Sequence, residues 1–349
     1  AAGDEPTGEI PTQASIPLED DLAAAASEGD ADLHEEQIPH PPTRAEQRRQ
    51  AQASGRRRGD AERRAPRATA PVPATAAAPR DMRVAILTGL VMAFLVLVTF
   101  DLGTVLASLL VLVVVMAAAA EAYAVLRRVG ERPATLLGLV ATASLLIAVY
   151  NRGEVAYPLL TVLLTAASML WFLVGVERAN PVRGVATTLL VFVWVGFFGS
   201  FAMLLLNPDH FPNRHGLAFL LGAIVVTVVY DTSALMVGSA IGKRPLAPSV
   251  SPGKSWEGAI GGAVIATMAS ALVVSFIHPW TLGSAIVLGL VVSVVAPMGD
   301  LCESMLKRSM GLKDTSTVLP GHGGILDRID GLLFVLPATY YVVRAFGLG

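Results

Sequence analysis

From Met82 onward the chain consists of apolar runs close to the length a helix needs to cross a bilayer, about 20 residues. Nothing else in the sequence constrains the fold so strongly. Across 349 residues, 53% are hydrophobic and 15% charged, with a mean hydropathy of +0.59. A soluble domain carries about 25% charged residues, so a single water-soluble core is excluded. Read by run length, the spans fall at roughly 84–100, 104–126, 134–150, 157–176, 184–206, 216–242, 257–277, 280–298 and 329–346. The expectation is an all-α integral membrane protein with about nine transmembrane helices. Asp101-Leu-Gly103 and His278-Pro279 read as tight connections between neighbouring spans.

Residues 1–82 form a separate region. Their first part is acidic, and the stretch from Arg44 to Arg67 is dense in arginine, with Arg56, Arg57 and Arg58 in a row. The first aromatic residue of the chain is Phe94. Such a composition cannot bury enough apolar surface to offset its ordering entropy, so this tail is expected to be disordered. Its arginines hold the N-terminus on the cytoplasmic side or touch anionic headgroups. The polar N-terminus shows no signal-peptide pattern. Residues 83–349 make up the membrane domain. Cys302, the single cysteine, excludes an intrachain disulfide and a Cys-based metal site.

With the arginine-rich end in the cytoplasm, the inner connections hold Arg127, Arg128 and Arg132; Arg178 and Arg183; Lys243, Arg244 and Lys254; and Lys307, Arg308, Lys313 and Arg328. The outer ones hold Arg152 and Arg214, with Arg344 near the outer C-terminus. This bias follows the positive-inside rule and orients the chain. Both long polar connections, 243–256 and 299–328, then face the cytoplasm, where a nucleotide would be met.

The segment 299–328 is too specific in composition for a plain connector. If Asp300 starts a helix, Ser304, Lys307 and Arg308 follow on one stripe. Asp327 and Asp330 share a face of the helix entering the last span. Three carboxylates beside cations suit a divalent metal holding phosphates, because Mg²⁺ takes oxygen ligands from one or two carboxylates together with phosphate and water. Gly321, Gly323 and Gly324 permit close backbone approach to a ligand. A generic polar connector would instead pair such charges among themselves. Asp231 argues against that, since it lies past the middle of an apolar run, where an ionisable side chain costs about 2.5–3.5 kcal/mol and marks function by default; a structural hydrogen bond to another span is its bland alternative. Upstream, Ser251 and Pro252 read as the N-cap and first residue of the seventh span, with Lys254 making the helix N-terminus an anion site. Gly253-Lys254-Ser255 is similar to the end of a phosphate loop, but Pro248 stands where its first glycine belongs and no strand precedes it.

The run Ser304-Met-Leu306-Lys307-Arg308-x4-Lys313-Asp314-x-Ser316-x2-Leu319-Pro320-x-His322-Gly323-Gly324-Ile325-x-Asp327-Arg328-Ile329-Asp330 resembles the pattern of the phosphatidate cytidylyltransferases. The stretch from Asp231 through Ser251-Pro252-x-Lys254-Ser255-x-Glu257-Gly258 is similar to the same family. The resemblance begins near residue 83 and leaves out the tail. It implies a dimeric helical membrane enzyme with a polar cavity open to the cytosol and the bilayer. CTP and phosphatidate are the implied substrates, Mg²⁺ the cofactor, K⁺ a candidate second cation, membrane lipids the surroundings, and no nucleic acid a partner. Asp300 and Asp327 correspond to its metal-binding aspartates and Asp330 to its last acid. Ser304, Lys307, Arg308, His322 and Arg328 correspond to positions at the nucleotide and phosphate site, joined by Lys254, Ser255, Lys313, Gly323, Gly324 and Asp231. Leu235 departs from the pattern, where many members carry Tyr.

The implied reaction is attack of a phosphatidate oxygen on the α-phosphorus of CTP, with pyrophosphate leaving and no protein nucleophile. Catalysis would then be positioning and charge neutralisation. Two rivals share the membrane setting. A CTP-dependent polyprenol kinase would transfer the γ-phosphate to an alcohol and need fewer phosphate-binding cations. An ion-coupled transporter would use Asp231 as an ion site and favour inverted repeats, and none is evident. The D-G-x2-A-R run of CDP-alcohol phosphotransferases is absent.

Overall fold

The computed structural model describes residues 82–175, 180–312 and 323–348. The tail up to residue 81 lies outside the described residues, as do Lys313 and His322.

The helices are α1 (Met82–Leu102), α2 (Thr104–Arg128), α3 (Thr135–Arg152), α4 (Ala156–Leu173), α5 (Pro181–Val191), α6 (Phe198–Leu205), α7 (His215–Ile241), α8 (Trp256–Val273), α9 (Leu282–Ser309) and α10 (Leu326–Ala345). Among the described residues, six stretches are long and apolar enough to cross a membrane. One of them, Thr135–Leu173, is 39 residues long. It turns at Gly153, whose φ of +68° suits a residue without a Cβ, so α3 and α4 pack against each other. Large side chains such as Phe94, Leu159, Leu173 and Met268 stand exposed on the outside of the helices. So much exposed apolar surface fits hydrocarbon surroundings rather than water.

Local chemistry explains where the helices start. Asn180 caps α5, accepting from Val182 N at 3.1 Å and Arg183 N at 3.3 Å, with Pro181 in the first turn. Thr281 and Ser284 cap α9 reciprocally. Between α5 and α6, Phe192–Phe197 forms a π-helical turn. A chain of rings, Tyr157, Phe201, Tyr340, Phe211, Phe219 and Trp280, ties α4, α6, α7 and α10 together.

Three expectations need correction. The chain is not purely helical: β1 (Pro245–Ala247) and β2 (Ser251–Ser255) form an antiparallel hairpin. Ser251 and Pro252 therefore lie in a strand rather than at a helix start. The cap of α8 is Ser255, whose Oγ accepts from Gly258 N at 3.1 Å. Glu257 in the first turn takes the N–H groups of Lys243 and Arg244, holding the hairpin to α8. Finally, Asp300 does not begin a helix. It lies well inside α9, a 28-residue helix that carries its charges out of the apolar run without a break.

Glycine seams bring α7, α8, α9 and α10 close. A Cβ on Gly258 would stand 2.7 Å from the Ala234 carbonyl oxygen and 3.0 Å from Gly238 Cα. One on Gly299 would stand 2.6 Å from the Asp330 carbonyl oxygen and 3.0 Å from Gly331 Cα. No side chain fits at either crossing, so Asp231, Asp300 and Asp330 are held on backbones in near contact.

Candidate active site

Two charged groupings share α9. The first lines an open cavity of about 280 Å³ between α7, β2, α8 and α9, walled by Tyr230, Asp231, Gly238, Lys254, Ser255 and Asp300. Lys254 reaches from β2 and donates to the Asp300 carboxylate; their side chains are 30% and 31% exposed. Asp231 faces the same space from α7. Ser255 lines it too, although its oxygen is engaged as the α8 cap.

The second grouping is buried between α9 and α10. Lys307 Nζ donates to Asp327 Oδ1 at 3.1 Å and stands 3.5 Å from Glu303 Oε1. Glu303 is 1% exposed, and neither of its carboxylate oxygens receives a hydrogen bond among the described residues. Its carboxyl faces those of Asp327 and Asp330, and Asp330 in turn faces Asp300. Asp330 Oδ1 accepts from Gly331 N at 2.7 Å. The two groupings are thus joined by a row of carboxylates running from Asp231 through Asp300, Asp330 and Glu303 to Asp327.

The start of α10 is fixed from an unexpected direction. Ile325 offers no side-chain cap. Glu121, buried in the span α2, accepts from Ile325 N at 2.8 Å and Leu326 N at 3.2 Å. A carboxylate there also complements the positive end of the helix dipole. Asp327 Oδ2 accepts from Gly324 N at 3.0 Å, and Gly323 turns with φ +82°. Asp327 is thereby placed opposite Lys307.

The structure brings Asp231, Lys254, Ser255 and Asp300 together at the cavity, and Lys307, Asp327 and Asp330 at the buried end. The stripe expected along α9 divides. Lys307 turns inward, whereas exposed Arg308 reaches the hairpin, donating to Val250 O at 3.4 Å. Ser304 is half-buried on the same helix and Arg328 is exposed at the start of α10. Glu121 and Glu303 went unnoticed in the sequence. Glu121 could have been found by the argument applied to Asp231, since it too is an ionisable group in an apolar run.

Among the described residues, no three His, Cys, Asp or Glu side chains form a ready cage for a metal. The donor set nevertheless suits a hard cation. The Glu303 carboxyl faces those of Asp327 and Asp330, and its oxygens are buried with no hydrogen bond among the described residues. Mg²⁺ takes one or two carboxylates and completes its shell from phosphate and water.

The model of the cytidylyltransferase family matches residues 83–346, from the start of α1 to the end of α10. The chain is 39% identical to the phosphatidate cytidylyltransferase of Mycobacterium leprae over 161 residues, 46% of this chain and 50% of that one. It is 42% identical to that of Haemophilus influenzae over 146 residues, 40% of this chain and 51% of the other. With the Bacillus subtilis protein of the same name it shares 36% identity over 181 residues, 51% and 65% of the two chains. The chain spans about half the length of the first two of these curated relatives. With a match that runs from the first described helix to the last, the chain belongs to the cytidylyltransferase family.

Proposed function

We propose that this chain is a phosphatidate cytidylyltransferase, converting CTP and phosphatidate to CDP-diacylglycerol and diphosphate. The observation that carries the reading is the carboxylate row with Lys254 and Lys307 engaged along it, at the end of apolar helices. The names of the similar bacterial proteins support it. In this reading the chain is a homodimer in the bacterial inner membrane. About nine helices span the bilayer, the N-terminus is cytoplasmic, and the polar cavity opens to the cytosol.

A phosphatidate oxygen forms the new bond to the α-phosphorus of CTP while the bond to the bridging oxygen breaks, and the electron pair leaves on diphosphate. No enzyme nucleophile is required. Two anions must meet, which costs strongly at a low-dielectric surface. Lys254 and Lys307 offset that repulsion; each is held in place by a carboxylate, so little order is lost when phosphate arrives. Arg308 and Arg328 add positive charge at the rim, and Lys313, Ser304, His322, Gly323 and Gly324 are the further substrate contacts of this reading. Asp300, Asp327 and Asp330, with Glu303 beside them, would hold Mg²⁺, and K⁺ is the candidate for a second position. A divalent ion bound there supplies neutralisation of the triphosphate and polarisation of its P–O bonds.

The test uses purified protein in detergent with Mg²⁺, phosphatidate and CTP labelled at the α-phosphate, beside Asp327→Asn and Asp300→Asn. Label entering lipid, diphosphate released, and both lost in the variants is the expected result. Untouched CTP, or an alcohol phosphorylated from γ-labelled CTP, overturns it in favour of a transporter or a polyprenol kinase.

A further inference from the structure

The β1–β2 hairpin carries Lys254 to the cavity, yet little in the hairpin itself can hold it there. Its strands are three and five residues long, and their register slips between Pro245 and Ala247. Pro245 and Pro252 have no N–H to give to the ladder. A lone two-stranded hairpin is marginally stable at best. Its place in the fold has to come from outside the strands.

Glu257 supplies the anchor at the base. One carboxylate oxygen, Oε2, accepts from Lys243 N at 3.1 Å and from Arg244 N at 3.2 Å. Trp256 N donates back to Arg244 O at 2.9 Å. The chain entering β1 is thereby tied to the first turn of α8. That turn is itself fixed, because Gly258 crosses α7 with no room for a side chain. At the far end the hairpin gains one longer contact, from Arg308 Nε to Val250 O at 3.4 Å. Where β2 sits decides whether the Lys254 ammonium group reaches Asp300.

We propose that Glu257 is a positioning residue: by clamping the base of the hairpin to α8, it sets the place of the Lys254 ammonium group in the cavity. The inference rests on the phosphatidate cytidylyltransferase reading, in which that group meets the substrate phosphates. Glu257 is not among the described residues that wall the cavity, so its effect passes through Lys254.

The experiment combines a mutant cycle with a chemical probe. Turnover of α-labelled CTP with phosphatidate is measured for wild type, Glu257→Ala, Lys254→Ala and the double variant. Misplacing a reacting group costs about ten- to a hundredfold in rate, and Glu257→Ala should fall by that much. In the Lys254→Ala background the same change should cost little or nothing, because residues that act as a unit are not additive. Acetic anhydride, with the products read by mass spectrometry, should acetylate Lys254 several-fold faster in Glu257→Ala than in wild type, since the amine is no longer held at Asp300. Glu257→Gln keeps a neutral acceptor and should lose less than Ala in both readouts; it carries the same comparison if the Ala variant does not fold. Equal losses with and without Lys254, or unchanged Lys254 reactivity, overturn the clamp. Faster acetylation in a protein that forms no CDP-lipid sinks cytidylyl transfer and keeps the clamp. CDP-lipid made equally well by wild type and Glu257→Ala does the reverse.

Discussion

The two charged groupings along α9 are built from the same residue types, yet they differ in what surrounds them. Lys254 and Asp300 pair at the wall of an open cavity, where water can reach both. Lys307 pairs with Asp327 and Glu303 where water is largely excluded: the Lys307 and Asp327 side chains are 15% and 12% exposed, and Glu303 is buried with no hydrogen bond to its oxygens among the described residues. A pair in high dielectric contributes little to stability and is easily exchanged for a ligand. A buried pair contributes little net energy either, but losing one partner strands the other. In the proposed reading, the cavity end is the one that admits and releases the nucleotide, and the buried end holds the geometry on which the reaction depends.

The variant that should break this contrast most sharply is Lys307→Ala. It leaves Glu303 and Asp327 facing each other without their ammonium group, a change that typically costs about 3–5 kcal/mol. Both activity and thermal stability should collapse, read by CTP turnover and by a thermal melt in detergent. A protein that melts like wild type would mean the buried grouping is as wet as the cavity.

Asp300→Asn should separate activity from stability. Lys254 would lose its carboxylate but stay in an open cavity and hydrate. The melting temperature should hardly move while turnover falls by about a hundredfold or more, in the range seen when one preorganised electrostatic group is removed. A large loss of stability would show that Asp300 belongs to the buried scaffold instead.

Glu121→Gln tests the anchor between the groupings. The amide keeps an acceptor for Ile325 N and Leu326 N but loses the charge. Hydrogen bonds to charged groups contribute about 1.5–3 kcal/mol, so a destabilisation of about 1 kcal/mol is expected. Turnover should fall more than nucleotide affinity, because the start of α10 sets the position of Asp327. Unchanged kinetics would assign Glu121 to packing alone.

How much of this could be read from the residues depends on the range of the interaction. Run length placed α7 near 216–242, and the observed helix is His215–Ile241, because hydropathy is a local property that the bilayer enforces. The cap at Ser251 failed because two start signals compete within five residues, and the β1–β2 pairing, a contact outside that window, selects Ser255. Asp231 and Asp300 were legible as candidates, but their meeting across one cavity depends on the Gly238–Gly258 crossing, and no single residue announces which glycine it will meet. Trp194 looked like any aromatic in an apolar run. Only the packed structure shows its N–H buried without an acceptor among the described residues.

Glu303→Gln gives the smallest effect and asks the finest question of the comparison. A buried carboxylate that only served to hold Lys307 should be missed when its charge is removed, and the variant should be destabilised. A carboxylate poised for a cation behaves in the opposite way. Its carboxyl faces those of Asp327 and Asp330, and the amide of Gln can donate to them. The metal-free variant should then melt at or slightly above the wild-type temperature, by about 1 kcal/mol or less of added stability. On the Mg²⁺ reading, wild type should gain stability from the ion and the variant should gain less, because a ligand stabilises only in proportion to its affinity for the folded state. Thermal melts of both proteins across a Mg²⁺ titration read the two effects together. A variant that is less stable without Mg²⁺, and gains as much from it as wild type, would return Glu303 to the role of a simple ion-pair partner.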